Sequence, residues 1–183
     1  MTFIFDIPIR QRILLISTIV IGIFIFIAYQ TSIMSIEIIN LAISFYGLGV
    51  PMLLLGLDTL VDLDKRNVFL IWSTIGLFFL IAYFATRNST DFAISRTPDF
   101  HSKGVNKFIS DNWATSLRAL PIFLFTYFIF NLIVKKRTGN FIVNTFRQSS
   151  WHNDAANREI HWYDMLTTFT LLGIIIIASI IDF

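Results

Sequence analysis

Four groups of side chains in this sequence have types and spacings that suit chemistry. The first is Trp151-His152-Asn153-Asp154 followed by Arg158-Glu159-Ile160-His161-Trp162-Tyr163-Asp164. Two imidazoles with nearby carboxylates suit several divalent ions, so His152, Asp154 and His161 are the candidate metal ligands, with Glu159 beside them. An unbroken helix would set His152 and His161 on opposite sides, and only a turn at Asn153-Asp154 brings them together. The alternative without chemistry is an interfacial helix capped by Asp154.

The second group is Asp58 and Asp62, four residues apart, which can share a helical face and hold a hard cation. Asp64, Lys65 and Arg66 follow at once, so ion pairing is the simpler reading. The third is a polar stripe of Glu37, Asn40, Ser44, Gly47 and Pro51 at helical intervals, with Asp58 near its end. Such a stripe lines a pore or relays protons, or else it is packing, with Gly47 and Gly49 admitting a close neighbour and Asn40 and Ser44 bonding to it. Packing is the preferred reading. The fourth is Arg118, the one basic residue placed inside an apolar run, for which Glu37 at matching depth is the expected ion-pair partner.

Other chemistries are excluded or unsupported. The chain has no Cys, which removes thiolate nucleophiles, disulfides and Cys-held metal clusters. No phosphate loop, His-Glu-x-x-His helix or nucleophile elbow occurs, and Arg147 and His152 alone do not make a nuclease. His101, His152 and His161 all fall in connections, so no haem ligand lies at membrane depth. No catalytic residue is assigned and no cofactor is expected. The formal net charge of +2 is spread over many segments rather than clustered, so no nucleic-acid partner is expected.

The elements that must position these residues are transmembrane helices. Of 183 residues, 55% are hydrophobic and 14% charged, against about 25% charged in globular proteins. Crossing about 30 Å of hydrocarbon takes about 20 helical residues, and residues 13–29, 68–85, 117–134 and 165–181 meet that directly. Residues 36–57 contain Glu37, Asn40, Pro51 and three glycines, and form either a fifth span or a re-entrant segment. The expected fold is one all-α integral membrane domain over 1–183: five transmembrane helices, or four plus the re-entrant segment. Short interfacial helices are expected in the long connections 86–116 and 135–164. Arg10 and Arg12 precede an apolar run without a convincing cleavage site, so the first run is read as a retained span.

Lys and Arg accumulate on cytoplasmic connections. Five spans with the N-terminus inside place Arg10, Arg12, Lys65, Arg66, Lys135, Lys136, Arg137, Arg147 and Arg158 on one side. Arg87, Arg96, Lys103 and Lys107 fall on the other. The expected orientation is N-in and C-out, in the cytoplasmic membrane of a bacterium. Trp113 and Tyr83 then anchor the outer interface, and Trp72, Trp151, Trp162 and Tyr163 the inner one.

The functional expectation is a non-enzymatic polytopic membrane protein, an accessory or assembly subunit whose partners are the bilayer and a protein partner or further copies of itself. A small oligomeric channel or transporter lined by the second span is the alternative. A membrane-embedded metal-dependent hydrolase or transferase ranks below both.

Overall fold

The computed structural model describes residues 7–56, 60–93, 112–143, 145, 152–153 and 158–181. Helix α1 (Ile9–Thr31) starts after Pro8 and stops at Ser32, which takes a left-handed conformation with φ 52°. Helix α2 (Ile36–Gly56) follows at once. A single turn α3 (Leu60–Leu63) leads into α4 (Arg66–Thr86). A 3₁₀ turn, Thr90–Phe92, and a 3₁₀ segment, Trp113–Arg118, precede α5 (Ala119–Thr138). Helix α6 (Trp162–Ile180) completes the bundle.

Five helical stretches are long and apolar enough to cross a membrane, the fourth being Trp113–Thr138 with its 3₁₀ start included. The protein is an all-α, multi-pass integral membrane protein. Residues 36–56 form one uninterrupted helix, so the fifth-span reading holds rather than the re-entrant one. Pro51 is accommodated inside it, and the residue one turn earlier, where a proline ring crowds the backbone, is Gly47. Pro121 falls in the first turn of α5, where amide hydrogens have no helical acceptor anyway. Gly139, with φ 73°, caps α5 and donates its N–H to the Lys135 carbonyl at 2.9 Å.

The helices alternate in direction, which gives the bundle two ends. One carries Arg10, Asp62, Lys65 and Lys135 and is the basic end. The far end carries Tyr29, Asn40, Asp91 and Trp113. The core runs through Leu54, Trp72, Leu120, Phe123, Tyr127, Leu171 and Ile175, all essentially inaccessible. Helix α1 stands at the periphery, with 22% of its apolar window buried against 50% for the fourth span. Its face bearing Ile16, Ile23, Phe26 and Ile27 is exposed, which lipid satisfies at no cost.

Two expectations about the connections change. The interfacial helix expected before the fifth span is replaced, among the described residues, by an antiparallel ribbon, β1 (His152–Asn153) on β2 (Arg158–Glu159). Its register pairs His152 with Glu159. A helix there would need 152 and 159 two turns apart, whereas the ribbon sets them side by side; Asp154, the expected cap, lies outside the described residues. Trp72 is not an interfacial anchor: it is wholly buried and donates its indole N–H to Gln11 Oε1 at 2.8 Å. Trp162 is 73% exposed. Most of the other connection expected to hold an interfacial helix, residues 94–111 of 86–116, lies outside the described residues.

Candidate functional site

The polar stripe of α2 faces inward, and what it meets is main chain. The 3₁₀ segment Trp113–Arg118 lies against it, and its carbonyls can accept a second hydrogen bond from a neighbouring side chain. Ser44 Oγ donates to the Trp113 carbonyl at 3.2 Å, and Ser116 Oγ lies 3.3 Å from the carbonyls of Ile43 and Trp113. Asn40 Nδ2 donates to the Asp91 carbonyl at 2.9 Å. Gly47 makes the approach possible: a Cβ there would lie 2.5 Å from Ser116 Oγ and 2.6 Å from the Ser116 carbonyl carbon. Gly49 has open space at the same test, so it plays no part in this contact. The stripe is packing for most of its length. Asp58, its expected continuation, lies outside the described residues.

Arg118 is 5% exposed, and its Nε donates to the Ala178 carbonyl at 2.9 Å, near the end of α6. Its guanidinium sits 5.5 Å from the Tyr83 ring centroid, a cation–π distance. Glu37 is exposed and lines a cavity at the far end. The expected Glu37–Arg118 ion pair is therefore not formed: the cation meets a helix C-terminus and an aromatic face instead, both of which attract positive charge. Equal depth along the bundle axis said nothing about which way each side chain turns around it.

At the basic end the carboxylates are occupied. Asp62, 2% exposed, accepts from Arg10 Nε at 2.8 Å and Lys65 Nζ at 3.2 Å. Asp64 accepts from Lys135 Nζ at 2.7 and 2.8 Å and from Asn131 Nδ2 at 2.8 Å. The Tyr127 hydroxyl donates to the Leu60 carbonyl at 2.9 Å, pinning the same turn from within. Ion pairing thus accounts for Asp62 and Asp64, but Asp62 is buried rather than solvated.

The chain leaving α5 turns back into the bundle: Ile142 and Val143 are fully buried. Asn131 Oδ1 accepts the Ile142 N–H at 3.2 Å, and Asp164 Oδ1 accepts the Val143 N–H at 3.2 Å. The other Asp164 oxygen accepts the His161 N–H at 3.0 Å, closing the first turn of α6. Asn131 was not singled out in the sequence, although a lone amide in a span is visible there, and Asp164 was named only as the end of the His and carboxylate cluster, with no role assigned. Among the described residues no three His, Cys, Asp or Glu side chains cluster to hold a metal. The side chains of His152 and Asp154 lie outside the described residues, and His161 is the residue before α6.

The remaining arrangement is at the far end. The end of α1, the start of α2, the Thr90–Phe92 turn and Trp113 enclose a cavity of about 890 Å³, bordered by Tyr29, Glu37, Asn40 and Asp91. The Tyr29 hydroxyl donates to Asp91 Oδ2 at 2.9 Å, and Tyr29 packs on Phe92 with ring centroids 5.5 Å apart. Glu37 and Asn40 were legible as candidates. Tyr29 and Asp91 were not, because they come from the far ends of two other elements.

Fold and site together define a multi-pass membrane protein whose intramembrane polar groups mostly serve its own packing. No protein-family model, curated protein or solved structure matches the chain.

Proposed function

We propose that the protein is a non-enzymatic accessory or assembly subunit of a membrane complex, in the cytoplasmic membrane of a bacterium. Its basic end faces the cytoplasm, with the N-terminus inside and the C-terminus outside. The supporting observation is the state of its polar groups. Asn40, Ser44, Ser116, Arg118, Asn131 and Asp164 are committed to main-chain partners within the bundle. A span face in use this way offers no row of free ligands to a permeating ion, and the buried carboxylate Asp62 is held by two cations.

The stripe of α2 is covered by the chain's own 3₁₀ segment, so a lateral partner belongs elsewhere. The peripheral α1 and the apolar cleft of about 480 Å³ that it forms with α2 suit a partner span, from another polypeptide or a second copy. Phe24, Ile38, Ala42 and Phe45 line this cleft, and Gly49 leaves open space in it.

The test is solubilisation in mild detergent after introducing Cys at Ala42, in a protein that has no Cys of its own. The expected result is a defined cross-linked partner that co-purifies. Isolation as a bare monomer without cross-links, together with ion flux after reconstitution that Glu37→Gln abolishes, would replace this reading with a channel.

A further inference from the structure

The cavity at the far end has a chemical character that lateral assembly does not use. Asn40 stands in its wall and is 5% exposed. Its amide nitrogen is spent on the Asp91 carbonyl, but its Oδ1 accepts no hydrogen bond among the described residues. A buried acceptor left so costs about 1–3 kcal/mol; it lies within the wall, and an entering N–H donor recovers that cost when the Asn40 side chain turns toward the cavity.

Charge in the cavity points the same way. Glu37 and Asp91 both border it, and no Lys or Arg is among its described lining residues. Glu37 forms no ion pair among the described residues. The Tyr29 hydroxyl, by donating to Asp91 Oδ2, fixes one carboxylate at the rim. Trp113 adds an indole to the wall, and Met34, Ile36 and Ile39 add apolar surface.

We propose that this cavity binds an ammonium group carried on an apolar body, either a free organic amine or the headgroup of an aminophospholipid. The N–H donors of the ammonium answer the Asn40 Oδ1 and the two carboxylates, while aromatic faces attract its charge. About 890 Å³ lies within the range of small-molecule sites, about 300–1,000 Å³, and exceeds what a bare ion fills. A hard divalent cation, which favours several carboxylates, fits less well, because the described wall supplies two, Glu37 and Asp91, the latter already bonded to Tyr29, beside the neutral amides of Gln30 and Asn40 and the hydroxyls of Ser32 and Thr90.

The experiment uses the full chain in nanodiscs of phosphatidylglycerol alone, titrated with benzylamine and, in parallel, with the neutral benzyl alcohol by saturation-transfer NMR. Benzylamine should bind saturably, and benzyl alcohol more weakly by at least about tenfold. Glu37→Gln, at an exposed position, should weaken benzylamine binding by a similar factor, as should Asp91→Asn. Asn40→Leu should also weaken it. If that variant fails to fold, the two carboxylate variants decide the matter. A second set of nanodiscs containing phosphatidylethanolamine separates the sources. A fall in apparent benzylamine affinity there assigns the site to the lipid headgroup, and an unchanged affinity assigns it to a free amine. Equal binding of the amine and the alcohol, insensitivity to Glu37→Gln, or no saturable binding overturns the proposal.

Discussion

A charged guanidinium at the edge of a membrane domain needs electron-rich neighbours, and two of those that Arg118 meets are a main-chain carbonyl and an aromatic ring. The Ala178 carbonyl belongs to the last turn of α6, where the helix dipole is negative, and Tyr83 presents its ring. Arg118→Glu should therefore impair folding severely, since it brings a second negative group to a helix C-terminus. A compensating Glu37→Lys should restore nothing, because Glu37 borders the far cavity. Recovery of folded yield in the double variant would reinstate the ion pair. Asp164 is the second buried charge whose role is positional. Asp164→Ala removes the acceptor for the Val143 and His161 amides and should cost about 1–3 kcal/mol. Hydrogen exchange reads it directly, with the Val143 amide losing protection well before amides in the middle of α5. The sequence announced Arg118 as an anomaly, yet two of its partners are a carbonyl, which every residue carries, and a ring on another helix.

Between elements, the decisive contact is α2 against the 3₁₀ segment, and it turns on one hydrogen atom at Gly47. Gly47→Ala would place a Cβ within 2.8 Å of the Leu117 nitrogen and closer still to Ser116. Backbone cannot swing aside as a side chain can, so the helices must part, at an expected cost of about 1–3 kcal/mol for overpacking. Gly49→Ala, two residues on and with nothing within 4 Å, should be neutral or gain up to about 1 kcal/mol of helix propensity. Unfolding of both variants in detergent checks the pair. Equal destabilisation would mean that helix propensity and not close approach governs these positions. Periodicity made the stripe visible because Glu37, Asn40, Ser44 and Gly47 repeat at helical spacing. It could not distinguish a stripe that lines water from one that satisfies a neighbour's main chain. In the partner segment, Trp113–Arg118, nothing in the sequence marks the 3₁₀ form or its contact with α2, and Asn112 secures it by bonding the carbonyls of Thr86 and Arg87. The α1–α2 pairing has a similar hidden device. Tyr46 donates to the Thr18 carbonyl at 2.6 Å, and it lies over Gly22, whose hypothetical Cβ would touch the Tyr46 hydroxyl at 2.6 Å.

For the molecule as a whole, the five apolar runs were plain from hydropathy, since lipid exposure writes the same composition along every span. Their lengths were underestimated at the ends, where Arg10, Gln11 and Arg12 sit inside α1 and Trp113–Arg118 precedes α5. Polar residues mark the limit of an apolar window, but a helix continues through them when they have partners, as Gln11 does in Trp72 and Arg10 does in Asp62. The two ends of the bundle then differ in kind. The basic end is closed by ion pairs among Arg10, Asp62, Asp64, Lys65 and Lys135, and the far end opens on an acidic cavity. Because Lys and Arg are retained on the cytoplasmic side during insertion, the basic end is predicted to face the cytoplasm and the cavity the exterior. Single Cys residues at Ile33, exposed between α1 and α2, and at Asn140, beyond the cap of α5, test this without background labelling. In intact cells an impermeant maleimide should modify the first and spare the second, and permeabilisation should expose both. Labelling of Asn140→Cys alone would invert the protein and turn the ammonium-binding cavity toward the cytoplasm, leaving its chemistry intact but changing which amines could reach it.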